Sequence, residues 1–240
     1  MSQELTRKDM KGPDRFQATA GQAAGWMATH RRTVFGLLAA VGAVVVASIV
    51  VSVVQGRRAE TAGAALSSVA TAMQGQISTV PLPGASGPFF PSEEARQRAV
   101  LEAAEKVAAE FPGTPAGHTA ALAAADARFK LGEWDAALAG YQAYLAEAGK
   151  GDSLLFGALE GIALAEEAKG NPEAAALAYE RLAREVPPQA ARADLERARL
   201  LSRSGKAEEA RALLASFPEK HADSPLVAEA AERLARLGAP

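Results

Sequence analysis

The hydrophobic pattern is most uneven at residues 33–56, TVFGLLAAVGAVVVASIVVSVVQG, which run 24 positions without a charge between Arg31-Arg32 and Arg57-Arg58. A helix of that length reaches about 36 Å, enough for a hydrocarbon core of roughly 30 Å with some tilt. The pattern predicts a membrane-spanning helix over 33–56. A cleaved secretory signal is the competing reading, but its apolar core is about 7 to 15 residues behind a short leader. The nearest small-x-small site, Ala62-Gly63-Ala64, lies beyond Arg57, Arg58 and Glu60, so an uncleaved signal anchor fits better.

Downstream the pattern turns helical in another way. Residues 58–77 keep helix-forming composition and read as a stalk, and 79–91 (TVPLPGASGPFFP) hold four prolines and two glycines in 13 positions, which no helix tolerates. From Ser92 onward, N-cap signals at Ser92, Thr114-Pro115, Asn171-Pro172 and Ser224-Pro225 alternate with stops at Gly132, Gly170 and Gly205. They predict helices near 92–110, 115–131, 134–147, 153–169, 172–185, 189–204, 207–217 and 225–237. No strand is expected.

Aligned on the three glycines, the chain repeats with spacings of 38 and 35: KLGEWDAALAGYQAYL (130–145), AKGNPEAAALAYERLA (168–183) and SRSGKAEEARALLASF (202–217). An alanine follows each glycine by five residues (Ala137, Ala175, Ala210). Large apolar residues come four and seven positions later: Tyr141 and Tyr144, Tyr179 and Leu182, Leu214 and Phe217. A small residue there lets two helices of a hairpin approach, and the large ones fill the wedge between stacked hairpins. The phrase resembles the tetratricopeptide repeat, with a longer first interval around 148–151. Pro187 sits where that repeat ends in proline, and Phe111-Pro112 looks like the end of a preceding half-repeat. In the first helix of each hairpin the small residue is kept at Ala125, Ala163 and Ala198. The flanking aromatic positions depart from the repeat, as Ala121, Leu159 and Asp194 and then Arg128, Glu166 and Leu201. The expected fold class is all-α, one transmembrane helix followed by an α-solenoid of tetratricopeptide-like hairpins. Plain hairpins without superhelical stacking are the alternative. The segments are a basic leader (1–32), the span (33–56), a stalk and Pro/Gly-rich linker (57–91) and the repeat domain (92–240).

Charge sharpens the topology. Residues 1–32 carry six Lys/Arg and three Asp/Glu, whereas 57–240 carry 20 and 25, a balance of −5. The basic leader predicts a cytoplasmic N-terminus by the positive-inside rule, and the acidic remainder argues against nucleic acid. In the leader, Phe16, Ala20, Ala23 and Met27 share one helical face near Trp26, read either as a partly ordered tail with a Trp anchor or as a short interfacial helix. There is no cysteine, hence no disulfide, thiol nucleophile or thiolate metal site.

Chemistry is sparse. His30, His118 and His221 are scattered and read as surface residues. Gly149-Lys150-Gly151-Asp152 lacks the strand context of a phosphate loop, and no cofactor, metal or catalytic residue is assigned. An enzyme is not expected. The candidate site is the concave face of the first helices, exposing Asp126, Phe129 and Lys130, then Glu160, Leu164 and Glu167, then Arg192, Leu195, Arg199 and Arg203. The alternative is that Glu160 and Glu167 pair with arginines of the next hairpin. Within the span, Gly36, Ala40, Ser48 and Ser52 fall at multiples of four and allow close helix approach.

A basic leader, one N-in helix, a proline-rich crossing and an acidic degenerate repeat domain together resemble the ancillary subunit of the SecYEG translocon, a bitopic inner-membrane family. The resemblance implies a periplasmic interaction module that meets the translocon, periplasmic chaperones and client polypeptides. The alternatives are a self-associating envelope scaffold, possible as a homo-oligomer, and a coordinator of cell-wall synthesis during division.

Overall fold

The computed structural model describes residues 26–79, 87–149 and 151–238. The leader positions Phe16, Ala20 and Ala23, the middle of the Pro/Gly-rich linker and Lys150 lie outside them. Among the described residues the fold is all-α but for one minimal strand pair. It divides at Arg57/Arg58 into two compact units.

In the first unit, α1 (Arg31–Met73) carries the apolar run. It is long and apolar enough to cross a membrane by length and composition. Over 33–56 its side chains, Val34 apart, are exposed on every side, Phe35 and Val44 by about two thirds. Just before it, the Trp26 and His30 rings stack at 4.8 Å.

The second unit begins inside the expected stalk. Ala62, Val69 and Ala72 are buried, a stripe on one helical face. They share a core with Val100, Ala104 and Val107 of α2 (Glu93–Glu110) and with Ala116, Ala120 and Ala124 of α3 (Pro115–Lys130). The helical domain therefore includes residues expected to lie outside it. Between these helices, β1 (Gln76–Ile77) pairs in parallel with β2 (Phe89–Phe90), a strand pair the sequence did not predict. Gly75 is required there, because the Phe90 ring lies 2.3 Å from where a Cβ would stand.

The remaining helices are α4 (Trp134–Glu147), α5 (Leu155–Ala168), α6 (Pro172–Glu185), α7 (Ala190–Arg203), α8 (Ala207–Ala215), the one-turn α9 (Phe217–Lys220) and α10 (Val227–Gly238). The element expected over 207–217 thus breaks at Ser216. From α2 to α8 each helix packs on the next in sequence, and α10 packs on α8. Ser92 Oγ accepts the Ala95 N–H, and Thr114 Oγ1 accepts that of Gly117, so both caps form as read. Asn171 makes no such cap and donates its amide to Glu166 instead. Gly132, Gly170 and Gly205 have φ of 78°, 84° and 83°, the left-handed stop. The phrase residues Ala137, Ala175 and Ala210 are each wholly buried, and Tyr141, Tyr179, Leu182, Leu214 and Phe217 nearly so.

Candidate functional site

The residues offered for partner contact lie on α3, α5 and α7, and the structure treats them differently. Asp126 Oδ1 accepts the Tyr141 hydroxyl at 2.6 Å. Burial pushes the Asp126 carboxyl up, partly offset by that bond, and burial together with Asp126 raises the Tyr141 phenol further. Tyr141 in turn presses on α5, its ring 2.3 Å from where a Cβ on Gly161 would stand. Asp126 therefore serves packing before any ligand. Phe129 is half-buried and Lys130 exposed.

On α5, Glu160 accepts a 2.7 Å bond from Arg192. Glu167 accepts two from Arg199, at 2.7 and 2.8 Å, and a third from Arg203. The Arg199 guanidinium holds the Glu167 carboxyl below the usual carboxylate range, and Glu167 raises Arg199 reciprocally. This is the arrangement in which the α5 carboxylates pair with arginines of the next helix pair. Leu164 between them is exposed.

Leu195 is a correction. It is only 3% exposed, belongs to the core around Leu159, Leu182 and Leu200, and offers only its carbonyl, which Arg233 Nη1 binds at 3.0 Å. Leu195, three residues from Arg192 and four from Arg199, borders their face of α7 on the side that joins the core.

Beyond α7 the site continues in a way the sequence reading missed. Arg199 and Arg203 face Arg233 and Arg236 of α10 across an open groove of about 480 Å³, floored by Ala198, Leu214 and Leu237. The signal was available: Arg233 stands 34 residues after Arg199, one repeat on. Glu196 links the two arginines, at 2.7 Å to Arg199 and 3.6 Å to Arg233.

The histidines also divide. His118 is half-buried, 3.3 Å from Glu147 and edge-on to Tyr144. His221 corrects the surface reading: its Nε2 lies 2.9 Å from Asp194 Oδ2, its ring packs on Phe217, and both partners are largely buried. Asp194 holds the place where the repeat would carry an aromatic, and the pair fills it. Among the described residues no three His, Asp or Glu side chains group as metal ligands. In α1, Gly36 has nothing near it, while Ser48 and Ser52 donate to the carbonyls of Val44 and Ser48, which satisfies both hydroxyls within the helix.

Neither the protein-family models nor the curated proteins contain a match to this chain.

Proposed function

We propose that the chain is a single-pass protein of the bacterial inner membrane, N-terminus cytoplasmic. Its region beyond Arg58 would be a periplasmic tetratricopeptide-like α-solenoid that holds other polypeptides. The observation that carries this reading is one packing pattern recurring at one-repeat spacing. Ala137, Ala175 and Ala210 are buried alike. Asp135 meets Lys169 at 2.6 Å and Glu173 meets Lys206 at 3.2 Å, just as Glu160 meets Arg192 and Glu167 meets Arg199. Repeated interfaces of this kind stack hairpins into a solenoid whose first helices line an extended concave surface. Here that surface carries Phe129 and Leu164 between charged neighbours, a mixture suited to an extended polypeptide.

The apolar helix supports the anchor, and the six-to-two excess of Lys/Arg before it over those just after supports the orientation. The architecture favours an ancillary subunit of the translocon and chaperone network over an enzyme. The test is photocrosslinking from positions 129 and 164 in native membranes. Adducts with translocon or chaperone subunits or with nascent secreted chains are expected. Self-adducts alone would replace the reading with an oligomeric scaffold.

A further inference from the structure

The groove between α7 and α10 holds four guanidinium groups in two distinct states. Each member of the inner pair has all three of its nitrogens engaged. Arg199 gives Nε to Glu196 and both terminal nitrogens to Glu167, while Arg233 gives Nε and Nη2 to Glu229 and Nη1 to the Leu195 carbonyl. The outer pair is not so engaged. Arg203 places one nitrogen on Glu167, a carboxylate that Arg199 already grips bidentately, and Arg236 places one on Glu232 at 3.2 Å. A guanidinium carries five N–H donors in a planar fork. Arg203 and Arg236 therefore keep most of theirs, and their side chains are 61% and 76% exposed.

The geometry points to this groove as a subsite for an acidic stretch of an extended polypeptide. The committed arginines set the frame, and Arg203 and Arg236 take partner carboxylates from the two lips. Planar forks match carboxylates two bonds at a time, and the half-buried Leu237 offers apolar surface to the aliphatic part of the same segment. A short acidic segment is favoured over a long polyanion, because the net −5 of residues 57–240 opposes a polyanion over more of its length than it opposes a segment confined to the groove. The inference rests on the concave-face reading and adds to it a chemical preference at one end.

The test uses the full chain in lipid nanodiscs and fluorescence anisotropy of two labelled peptides, one alternating Glu and Leu, the other alternating Gln and Leu. The acidic peptide should bind at least about tenfold more tightly, by about 1.4 kcal/mol, and lose that advantage as salt rises. Arg203→Gln with Arg236→Gln should abolish the difference, and Arg98→Gln with Arg184→Gln, equally exposed cations elsewhere, should leave it intact. Circular dichroism should be unchanged in both variants, since exposed ion pairs contribute little to folding. Equal binding of the two peptides, or a preference that survives the Arg203/Arg236 substitutions, overturns the acidic subsite. Single-stranded nucleic acid competing through the same two arginines would overturn the assignment to peptide. If both peptides bind equally but lose binding on Phe129→Ala with Leu164→Ala, the concave face stands and only the preference falls. Failure of peptide binding together with absence of protein adducts from positions 129 and 164 removes both readings.

Discussion

Two consecutive stretches of α1 are built from similar residues and end in different surroundings. Over 33–56 the apolar residues cover every side of the helix, and none finds a protein partner in its own unit: Phe35, Leu38, Val44 and Val54 are all exposed. Over 58–73 the apolar content falls, yet Ala62, Val69 and Ala72 vanish into a core with α2 and α3. A helix that is hydrophobic all round fits an apolar solvent, whereas a stripe fits a single neighbour. Periodicity therefore says more than hydrophobicity about what a helix packs against, and α1 shows both cases without a break in its backbone.

The largest expected effect breaks the first half of that comparison. Val45→Asp with Val46→Lys should oppose insertion by about 5 to 7 kcal/mol and move the chain from carbonate-washed membranes to the soluble fraction. Ala64→Asp with Ala70→Lys, at exposed positions of the second stretch, should leave fractionation untouched. If both doubles stay in the pellet, residues 33–56 are not the anchor.

Within the packed region, Phe217→Ala removes a ring with no exposed surface and should cost about 3 to 5 kcal/mol, read as a lower urea midpoint of the detergent-solubilised chain. A smaller loss, about 1 to 3 kcal/mol each, is expected from overpacking by Ala175→Leu and by Gly161→Ala. In the second case the new methyl meets the Tyr141 ring, which Asp126 holds in place. An unchanged midpoint for Ala175→Leu would mean that the repeat register is misassigned.

The smallest effect is electrostatic. Glu167 titrates below its ordinary value near 4.5, chiefly because Arg199 bonds its charged form. Its stabilisation is therefore present above that ordinary value and disappears as pH falls through the lowered folded one. Glu167→Gln should cost no more than about 1 kcal/mol at neutral pH, and the gap from the parent chain should close in acid. A gap that widens below pH 4 would contradict the assignment of the pair.

Much of this was legible in one dimension. Glycine stops, Ser92 and Thr114 caps and the recurring alanines depend on neighbours a few residues away, so local spacing predicts them. The charge pattern likewise suggested that Glu160 and Glu167 meet arginines about one repeat on. Leu195 was misplaced because it borders the face that carries Arg192 and Arg199, and spacing within one helix does not say whether neighbouring helices cover a border position. Arg233 and Arg236 were missed because the repeat was aligned on Gly132, Gly170 and Gly205 and not carried on to Gly238, which closes α10 33 residues after Gly205.

The sequence by itself determined the helical class, the apolar span, the element boundaries to within a few residues and the residues that recur in the core. Each is set by composition, or by periodicity over a few turns. Only the tertiary structure decided that the helical domain starts before the proline-rich crossing, that Gln76–Ile77 pairs with Phe89–Phe90, that Asp194 and His221 meet across 27 residues, and that four arginines face one groove. Those facts depend on which distant surfaces meet. A surface loses its water only when a partner arrives, so neither stretch of chain can specify the contact alone.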